Sequence, residues 1–588
     1  MKPPATAPAP AAPPAAATGT GAARSLVLAL VGSGGDGVAL LGDLILGMAA
    51  REGLYGMMVQ SYGPQIRGGE SAAIVRIADR ETLYEGDEAD VLLCFRLRDL
   101  KRFTGTMKLH AKSIVVLDRE ETGELPEWLG RTDEPAYRFP FARFEDGIEV
   151  QGPPKNMLGL GLLCRILGWP QTLAEEALRR RFGEKRERMK ANLEALAAGL
   201  EAETPPSRPA PTGSGRGLFA ETGNEAVARG AIAAGLKFFA GYPITPSSEV
   251  METLIDELPA AGGRVVQAED EIAAMGMVLG ASFGGVPSMT ATSGPGLSLM
   301  TEMIGLSSMA ELPSIIVDCQ RAGPATGMPS RTEQSDLYHA IYGGHGDFPR
   351  AVLGVFDVVH GRDVMYRAML LAEKYQLPVL VLSDAYIAQR RQIRDPETAR
   401  LKPPARERWT EASGPARFDV TATHGVNPFR VPGDPGGTYL AAGIEHTADG
   451  YPTSDTATHQ RMNEKRFRKL DYIQRETHDW FRTLGEPGAT RGIVAWGSAY
   501  GLLREWVAAH PDTRIFLPEI LHPFPLEAFE SWRRGLASLS ILELNFQGQF
   551  HRYLSSLTDL RGARSITRSG GAPMTATELD RYLSEATS

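Results

Sequence analysis

A multidomain α/β fold is predicted by three features of this 588-residue chain. Short apolar runs alternate with stretches of helical apolar spacing, as strands alternate with helices around a parallel sheet. Several of those runs end in Gly- and Pro-rich turns just before a helix, which is where open α/β sheets place their ligands. Two stretches, 201–217 and 396–470, lose the alternation and separate a front, a middle and a tail unit.

Residues 1–24, MKPPATAPAPAAPPAAATGTGAAR, read as a disordered Pro/Ala tail, because proline is too frequent for the apolar core of a signal peptide. The front unit is 25–200. SLVLALVGSGGDG reads as a buried parallel strand entering a Gly-rich turn, and VALLGDLILGMAAREG as a helix stopping near Gly53. YGMMVQSYG, SAAIVRIA, DVLLCF and KSIVVLD follow as strands, and the amphipathic stretch QTLAEEALRRRFGEKRERMKANLEALAAGL closes the unit as helix. A linker, 201–217, contains TPPSRPAPTGSGRG. The middle unit, 218–395, has LKFFAGYP, GRVVQA, VPSMTAT, PSIIVDC and LPVLVLSD as strands. Residues 396–470 read as a connector with local structure. The tail unit, 471–588, has RGIVAWGS, TRIFLPE and LSILELN as strands.

The formal net charge is -9, which gives no electrostatic case for nucleic acid or an anionic membrane. No run approaches the roughly 20 apolar residues that span a bilayer. Cys94, Cys164 and Cys319 stand far apart without a C-x-x-C pair. That spacing argues against a disulfide framework and against a zinc or iron–sulfur site built from this chain alone, and it suits a reducing cytoplasm. No metal ligand set is predicted here.

Gly32, Gly34 and Gly37 fit G-x-G-x-x-G between a strand and a helix, a turn that lets phosphate approach backbone amides. The next strand ends at Met58-Val59-Gln60 with no acid for a ribose hydroxyl, which weakens a dinucleotide reading. Another adenine-nucleotide phosphate, or a plain tight turn, stays open. In SYGPQIRGGE, Arg67 beside two glycines could grip phosphate bidentately or sit solvated in a turn. Gly35-Asp36-Gly37 begins the G-D-G…N pattern of magnesium-bound diphosphate, yet no Asn follows within reach.

Four segments of the middle unit carry the chemistry. In YPITPSSE, Pro243 and Pro246 bracket Thr245 and could fix its hydroxyl in a pocket, or the hydroxyls could cap the helix EVMETLIDEL. Glu269-Asp270-Glu271 could complement a helix dipole, or place one buried acid for proton chemistry. TATSGPG permits close approach of a planar ligand or another chain, or is a simple turn. Arg321 in DCQRAGPATGMP ends a strand where it could clamp a carboxylate, or be a surface residue.

In this order, YPITPSSE, QAEDE, TATSGPG and QRAGPATGMPSRTEQSDL resemble the pyrimidine-binding domain of the α subunit in the 2-oxoacid:ferredoxin oxidoreductase family. The resemblance covers nearly the whole chain after residue 24. GSGGDG and PQIRGGES are similar to the family's γ domain, and HPFP (522–525) with LELNFQGQF (542–550) to its swivel-like, transketolase-C-like domain. A γ–α fusion is typical of 2-oxoglutarate and related two-subunit members.

The resemblance implies coenzyme A-dependent oxidative decarboxylation of a 2-oxoacid, foremost 2-oxoglutarate to succinyl-CoA, or the reverse carboxylation. It aligns Glu271 with the glutamate that touches the aminopyrimidine of thiamine diphosphate, with Thr245 and Pro246 beside the cofactor. It aligns Arg321 with the substrate-carboxylate clamp, and Thr245 and Thr326 with hydroxyl donors to substrate. Gly34, Gly35, Gly37 and Arg67 become candidate coenzyme A contacts, although Asp36 stands where many relatives carry Gln. Magnesium and an iron–sulfur cluster are expected on a smaller β subunit. The site would then lie between chains of a cytoplasmic heterotetramer that exchanges electrons with ferredoxin. A second substrate carboxylate would need another cation, for which Arg331, His345 and Arg350 are near in sequence. Pyruvate, branched-chain or aryl 2-oxoacids stay open, as do a flavin- or NAD-dependent enzyme using the front loop and a non-catalytic scaffold.

Overall fold

A computed structural model of the chain describes residues 24–62, 70–141, 143–145, 148–150, 154–183, 186–203, 207–396, 402–409 and 411–585. The tail expected at 1–24 lies outside the described residues except for Arg24, and so does Arg67.

Three large sheets form. The middle sheet has seven strands in the order Arg264–Gln267, Phe238–Gly241, Ser288–Thr292, Ser314–Gln320, Pro378–Asp384, Ala351–Gly354 and Ile520–His522. All its neighbouring strands run parallel except the last pair, where a strand from the HPFP segment of the tail adds antiparallel to the edge. Parallel pairing needs a crossover after each strand, so a loop and a helix follow each carboxyl end. The tail sheet has five strands, parallel apart from the edge strand Phe481–Gly485.

The front sheet departs from the expected parallel pattern. Ser25–Ser33 runs parallel to Glu88–Cys94 on one side and antiparallel to Glu70–Ala78 on the other. Tyr55–Tyr62 and Glu70–Ala78 are also antiparallel, because the chain between them is too short for a crossover. Two further strands complete this sheet from the ends of the middle unit. Arg391–Arg394 pairs with both Tyr55–Tyr62 and Phe219–Thr222.

The stretch read as one closing helix is two, Gln171–Phe182 and Arg186–Glu201, with Gly183 at φ +60° ending the first. The described part of the 201–217 linker is laid against the front unit: Arg208 and Ala210 donate amide N–H groups to Ile166 and Leu167, and Ser214 and Gly215 to Gly53 and Glu52. After irregular chain, the connector ends in the helix Thr456–Glu476, which runs through position 470, where the tail unit was expected to begin.

Buried charge holds the connector in place. Glu311, Lys465 and Lys469 are fully buried together, with Lys469 Nζ 2.8 Å from the Glu311 carboxylate and Lys465 paired to its other oxygen. Arg417 donates to the Glu311 carbonyl at 2.9 Å. Burial alone would raise the Glu311 pKa, but the three cations hold it well below the carboxylate range, while burial draws Lys465 down to about 7. Arg406 forks onto Glu373 at 2.6 and 2.8 Å, also buried. Removing the acid from such a set strands the cations in a low dielectric. Glu311→Gln should therefore cost about 3 kcal/mol or more, read as a lower urea midpoint in equilibrium unfolding.

Candidate active site

The register of the middle sheet brings the four sequence segments to one edge. Gly241 lies opposite Gln267, and Thr292 opposite Asp318. Immediately after these positions come the loops carrying Thr245, Glu271, Gly296 and Arg321.

Asp270 caps the helix Glu271–Phe283, accepting from the Ala273 amide at 2.7 Å, so the capping role falls on Asp270 and frees Glu271 to turn inward. Glu271 is buried at 5% exposure. Among the described residues nothing donates a hydrogen bond to its carboxylate. Its side chain rests against the first turn of the helix Gly294–Met309. A Cβ at Gly296 would come within 2.6 Å of Glu271 Oε1 and 2.1 Å of Thr292 Oγ1. The glycine of TSGPG is thus the space into which the Glu271 carboxyl fits.

Arg321 is buried, and its Nη1 donates to the Thr245 carbonyl at 2.7 Å, which ties the fourth loop to the first. Burial lowers the pKa of its guanidinium, and Asp336 opposes that shift. The Thr245 backbone is held by this bond, and the residue itself is exposed on this chain. Pro246 is buried, its carbonyl accepting from Asn224 Nδ2 at 2.7 Å. Ser247 lies at the start of the following helix, yet its hydroxyl donates back to the Ile244 carbonyl and does not cap. Thr326 is exposed on the tight turn between Ala322 and Met328, where a Cβ at Gly327 would meet the Ala322 carbonyl at 2.0 Å.

Of the three cations near in sequence, Arg350 is spent on structure. It is buried, donates to the Gly343 carbonyl at 2.6 Å and stacks on Phe348. His345 is exposed. Arg331 is half-buried and lines a cavity of about 80 Å³ between all three units, with Gln60, Ser61, Glu85, Tyr386 and Arg390.

In the front loop, Gly35 and Gly37 hold φ of +109° and +75°, which explains their choice. Asp36 does not face outward. Its carboxylate accepts from the Ser33 amide at 2.7 Å and so occupies one of the N–H groups a phosphate would want. Arg98, which no motif marks, reaches Ser33 Oγ at 3.3 Å and is an exposed cation beside the loop.

The LELNFQGQF motif of the tail unit grips the loop after Arg321. Asn545 Nδ2 donates to the Gln334 carbonyl at 3.1 Å, and Gln549 Nε2 to the Ser335 carbonyl at 2.7 Å. Among the described residues no group of three His, Cys, Asp or Glu could hold a metal ion, and no helix is long and apolar enough to cross a membrane. Cys94, Cys164 and Cys319 are free and buried.

The carboxyl edge of the middle sheet thus carries a buried arginine and a buried glutamate that receives no hydrogen bond from the described residues. Residues 229–465 match the family described as pyruvate flavodoxin/ferredoxin oxidoreductase, thiamine diP-bdg, and residues 27–202 match pyruvate ferredoxin/flavodoxin oxidoreductase. The chain is 32% identical to the 2-oxoglutarate oxidoreductase subunit KorA of Mycobacterium tuberculosis, over 96% of this chain and 92% of the relative. It is 42% identical to the 2-oxoglutarate synthase subunit KorA of Methanothermobacter marburgensis, over 59% of this chain and 94% of that one. Among solved structures, 2-oxoglutarate:ferredoxin oxidoreductase from Magnetococcus marinus, with 2-oxoglutarate, coenzyme A and succinyl-CoA bound, superposes with a TM-score of 0.87 at 33% identity, covering 96% of this chain and 100% of that one. The chain belongs to the 2-oxoacid:ferredoxin oxidoreductase family, as an α subunit.

The contact at Gly296 gives a test that removes no polar group. Gly296→Ala should push the Glu271 carboxyl aside and lower turnover of the assembled oxidoreductase about 100-fold, the scale of a misplacement near 1 Å, in a steady-state assay.

Proposed function

We propose that this chain is the α side of a 2-oxoglutarate:ferredoxin oxidoreductase that, with coenzyme A, converts 2-oxoglutarate into succinyl-CoA and CO2, or runs the reverse carboxylation. The observation that carries this reading is Glu271: a buried carboxylate that receives no hydrogen bond from the described residues, held in a cradle that a single Cβ at residue 296 would fill. Such a group fits the polar edge of an aminopyrimidine ring, so Glu271 would hold and pass a proton there, with Thr245 and Pro246 alongside. Thiamine diphosphate, when bound, supplies a carbon nucleophile for the 2-oxo carbon and stores the electron pair that CO2 leaves behind.

Arg321 binds the carboxylate next to the reacting carbon, with the hydroxyls of Thr245 and Thr326 facing the same substrate. Arg331, the half-buried cation of the interunit cavity, binds the distal carboxylate and makes the substrate a dicarboxylate. Coenzyme A is received on the front unit by Gly34, Gly35, Gly37 and Arg67. Because Asp36 occupies a loop amide, Arg98 joins them as a phosphate contact.

The exposed hydroxyls of Thr245 and Thr326, and the exposed apolar side chains of Tyr242, Ile272 and Met328 on the same loops, support a site completed by a β subunit. That subunit would bring magnesium and an iron–sulfur cluster, and electrons would pass through it to ferredoxin in the cytoplasm.

The test is a reconstituted α and β complex. Glu271→Ala should abolish 2-oxoglutarate-dependent reduction of ferredoxin while the β subunit still co-elutes; undiminished turnover would assign this chain a scaffold role instead. Arg321→Ala should raise KM for every 2-oxoacid by about tenfold, as loss of a charge-assisted contact does. Arg331→Ala should raise KM for 2-oxoglutarate and leave that for pyruvate unchanged.

A further inference from the structure

The front unit carries the candidate coenzyme A loop, while the loops of the middle sheet carry Glu271 and Arg321. A segment far from both sets fixes one against the other. Residues 79–87 join the strands Glu70–Ala78 and Glu88–Cys94 and dock against the other two units. Thr82, Leu83, Tyr84 and Glu85 are all buried there, although a connection between strands ordinarily runs over the surface.

Glu505, on the tail helix Ala499–Trp506, is the seat of this loop. Its Oε1 accepts from the Thr82 hydroxyl at 2.8 Å and from the Leu83 and Tyr84 amides at 3.0 and 3.2 Å. Its Oε2 accepts from Arg76 Nη1 at 2.6 Å, and the same guanidinium donates to the Tyr84 carbonyl at 2.6 Å. Gly501 lies on the same helix face, where a Cβ would stand 2.2 Å from the Leu83 carbonyl oxygen. Arg390 of the middle unit donates to that carbonyl at 3.1 Å, and Tyr386 donates to Glu85. Asp87 accepts from the Thr577 amide and hydroxyl at 2.8 and 2.6 Å. The loop is held through its backbone as well as its side chains, from two units at once.

Its place in the sheet gives this grip leverage. Ser25 lies opposite Ala78 and Ser33 opposite Glu70, so the docked loop leaves the sheet at the end away from the Gly-rich turn. The strand Ser25–Ser33 has 9 residues, a lever of about 30 Å at about 3.3 Å per residue. A tilt of about 2° at the docked end therefore moves the turn by about 1 Å, a displacement that can cost an oriented reaction about 100-fold.

We propose that Glu505, by seating the 79–87 loop, is a positioning residue for the use of coenzyme A: it sets the angle of the front unit so that the thiol arrives at the middle-sheet edge. The inference rests on the front unit receiving coenzyme A and deepens that reading. Overall, 2-oxoglutarate, the coenzyme A thiol and two oxidised one-electron ferredoxins give succinyl-CoA, CO2, a proton and two reduced ferredoxins. Loss of CO2 calls on residues of the middle unit and is indifferent to the tilt. Arrival of the thiol depends on it.

The experiment uses the complete α and β enzyme as wild type, Glu505→Ala, Glu505→Gln and Gly501→Ala. It compares steady-state kcat/KM for coenzyme A with CO2 release from carboxyl-labelled 2-oxoglutarate in a single turnover without coenzyme A. Glu505→Ala should lower kcat/KM for coenzyme A about tenfold or more and leave CO2 release within about twofold. Glu505→Gln keeps the Oε1 acceptor of the loop and should stay within about threefold of wild type in both. Gly501→Ala leaves Glu505 intact but pushes the Leu83 carbonyl off the helix, and should show the same split as Glu505→Ala. Should Glu505→Ala fail to fold, Gly501→Ala carries the comparison. CO2 release that falls in step with turnover, or a kcat/KM for coenzyme A that holds when the loop is unseated, would overturn the positioning role. Hydrogen exchange read by mass spectrometry tests the reading beneath it. Coenzyme A should protect the amides of residues 32–37 in wild type, and no protection there overturns coenzyme A reception on the front unit. Protection without the kinetic split overturns the role of Glu505 alone.

Discussion

Hydrogen-bonded register between adjacent parallel strands is the constraint from which the rest of the molecule follows. Because Phe238–Gly241, Arg264–Gln267, Ser288–Thr292 and Ser314–Gln320 run side by side in one direction, their carboxyl ends share an edge. Each is followed by a loop and, after the first three, directly by a helix whose first turn points its amides toward that edge. Residues 75 or more positions apart, Thr245 and Arg321 among them, therefore meet through a single hydrogen bond. The same register lets Gly296 back onto Glu271, and the missing Cβ is what allows a carboxyl to be buried there.

A site on such an edge is only as fixed as the units that flank it, and here the flanks are fastened by buried charge. Glu221, on a strand of the front sheet, pairs with Arg229 of the middle unit and with Arg394. The Glu519 carboxylate of the tail lies 3.0 Å from His360 Nε2, while His360 Nδ1 accepts from the Phe356 amide. Tyr386 of the middle unit donates to the buried Glu85 of the front unit, at the wall of the interunit cavity. Partners of this kind add little net stability over apolar packing, but losing one of them is costly. They resist slippage between the units, which keeps the cavity and its Arg331 in line with the sheet edge.

Much of this was legible from local pattern. Apolar runs ending in glycine and proline marked the strands of the middle sheet, and the loops after them held the residues now seen together. Glu271 was one of three acids in a row. The sequence left open which was the cap and which the inward acid, and helix geometry decided it by giving Asp270 the Ala273 amide. Phe219–Thr222 and Arg391–Arg394 escaped notice because four residues carry too little period to read, and they become strands only by pairing, Arg391–Arg394 with Tyr55–Tyr62 and Phe219–Thr222 with Arg391–Arg394. Arg350 and Asp36 looked like available charge, yet each is consumed by backbone partners that no spacing rule shows.

By itself the sequence determined the elements, their order and the chemical types that gather at strand ends, because period, turn chemistry and glycine placement are local properties of the chain. The tertiary structure alone decided which charges are spent and which are free. It closed a turn of tail sequence over the loop after Arg321, and left Glu271 without a donor among the described residues. Burial and contact depend on what packs opposite, and that is fixed by strands and loops hundreds of residues away.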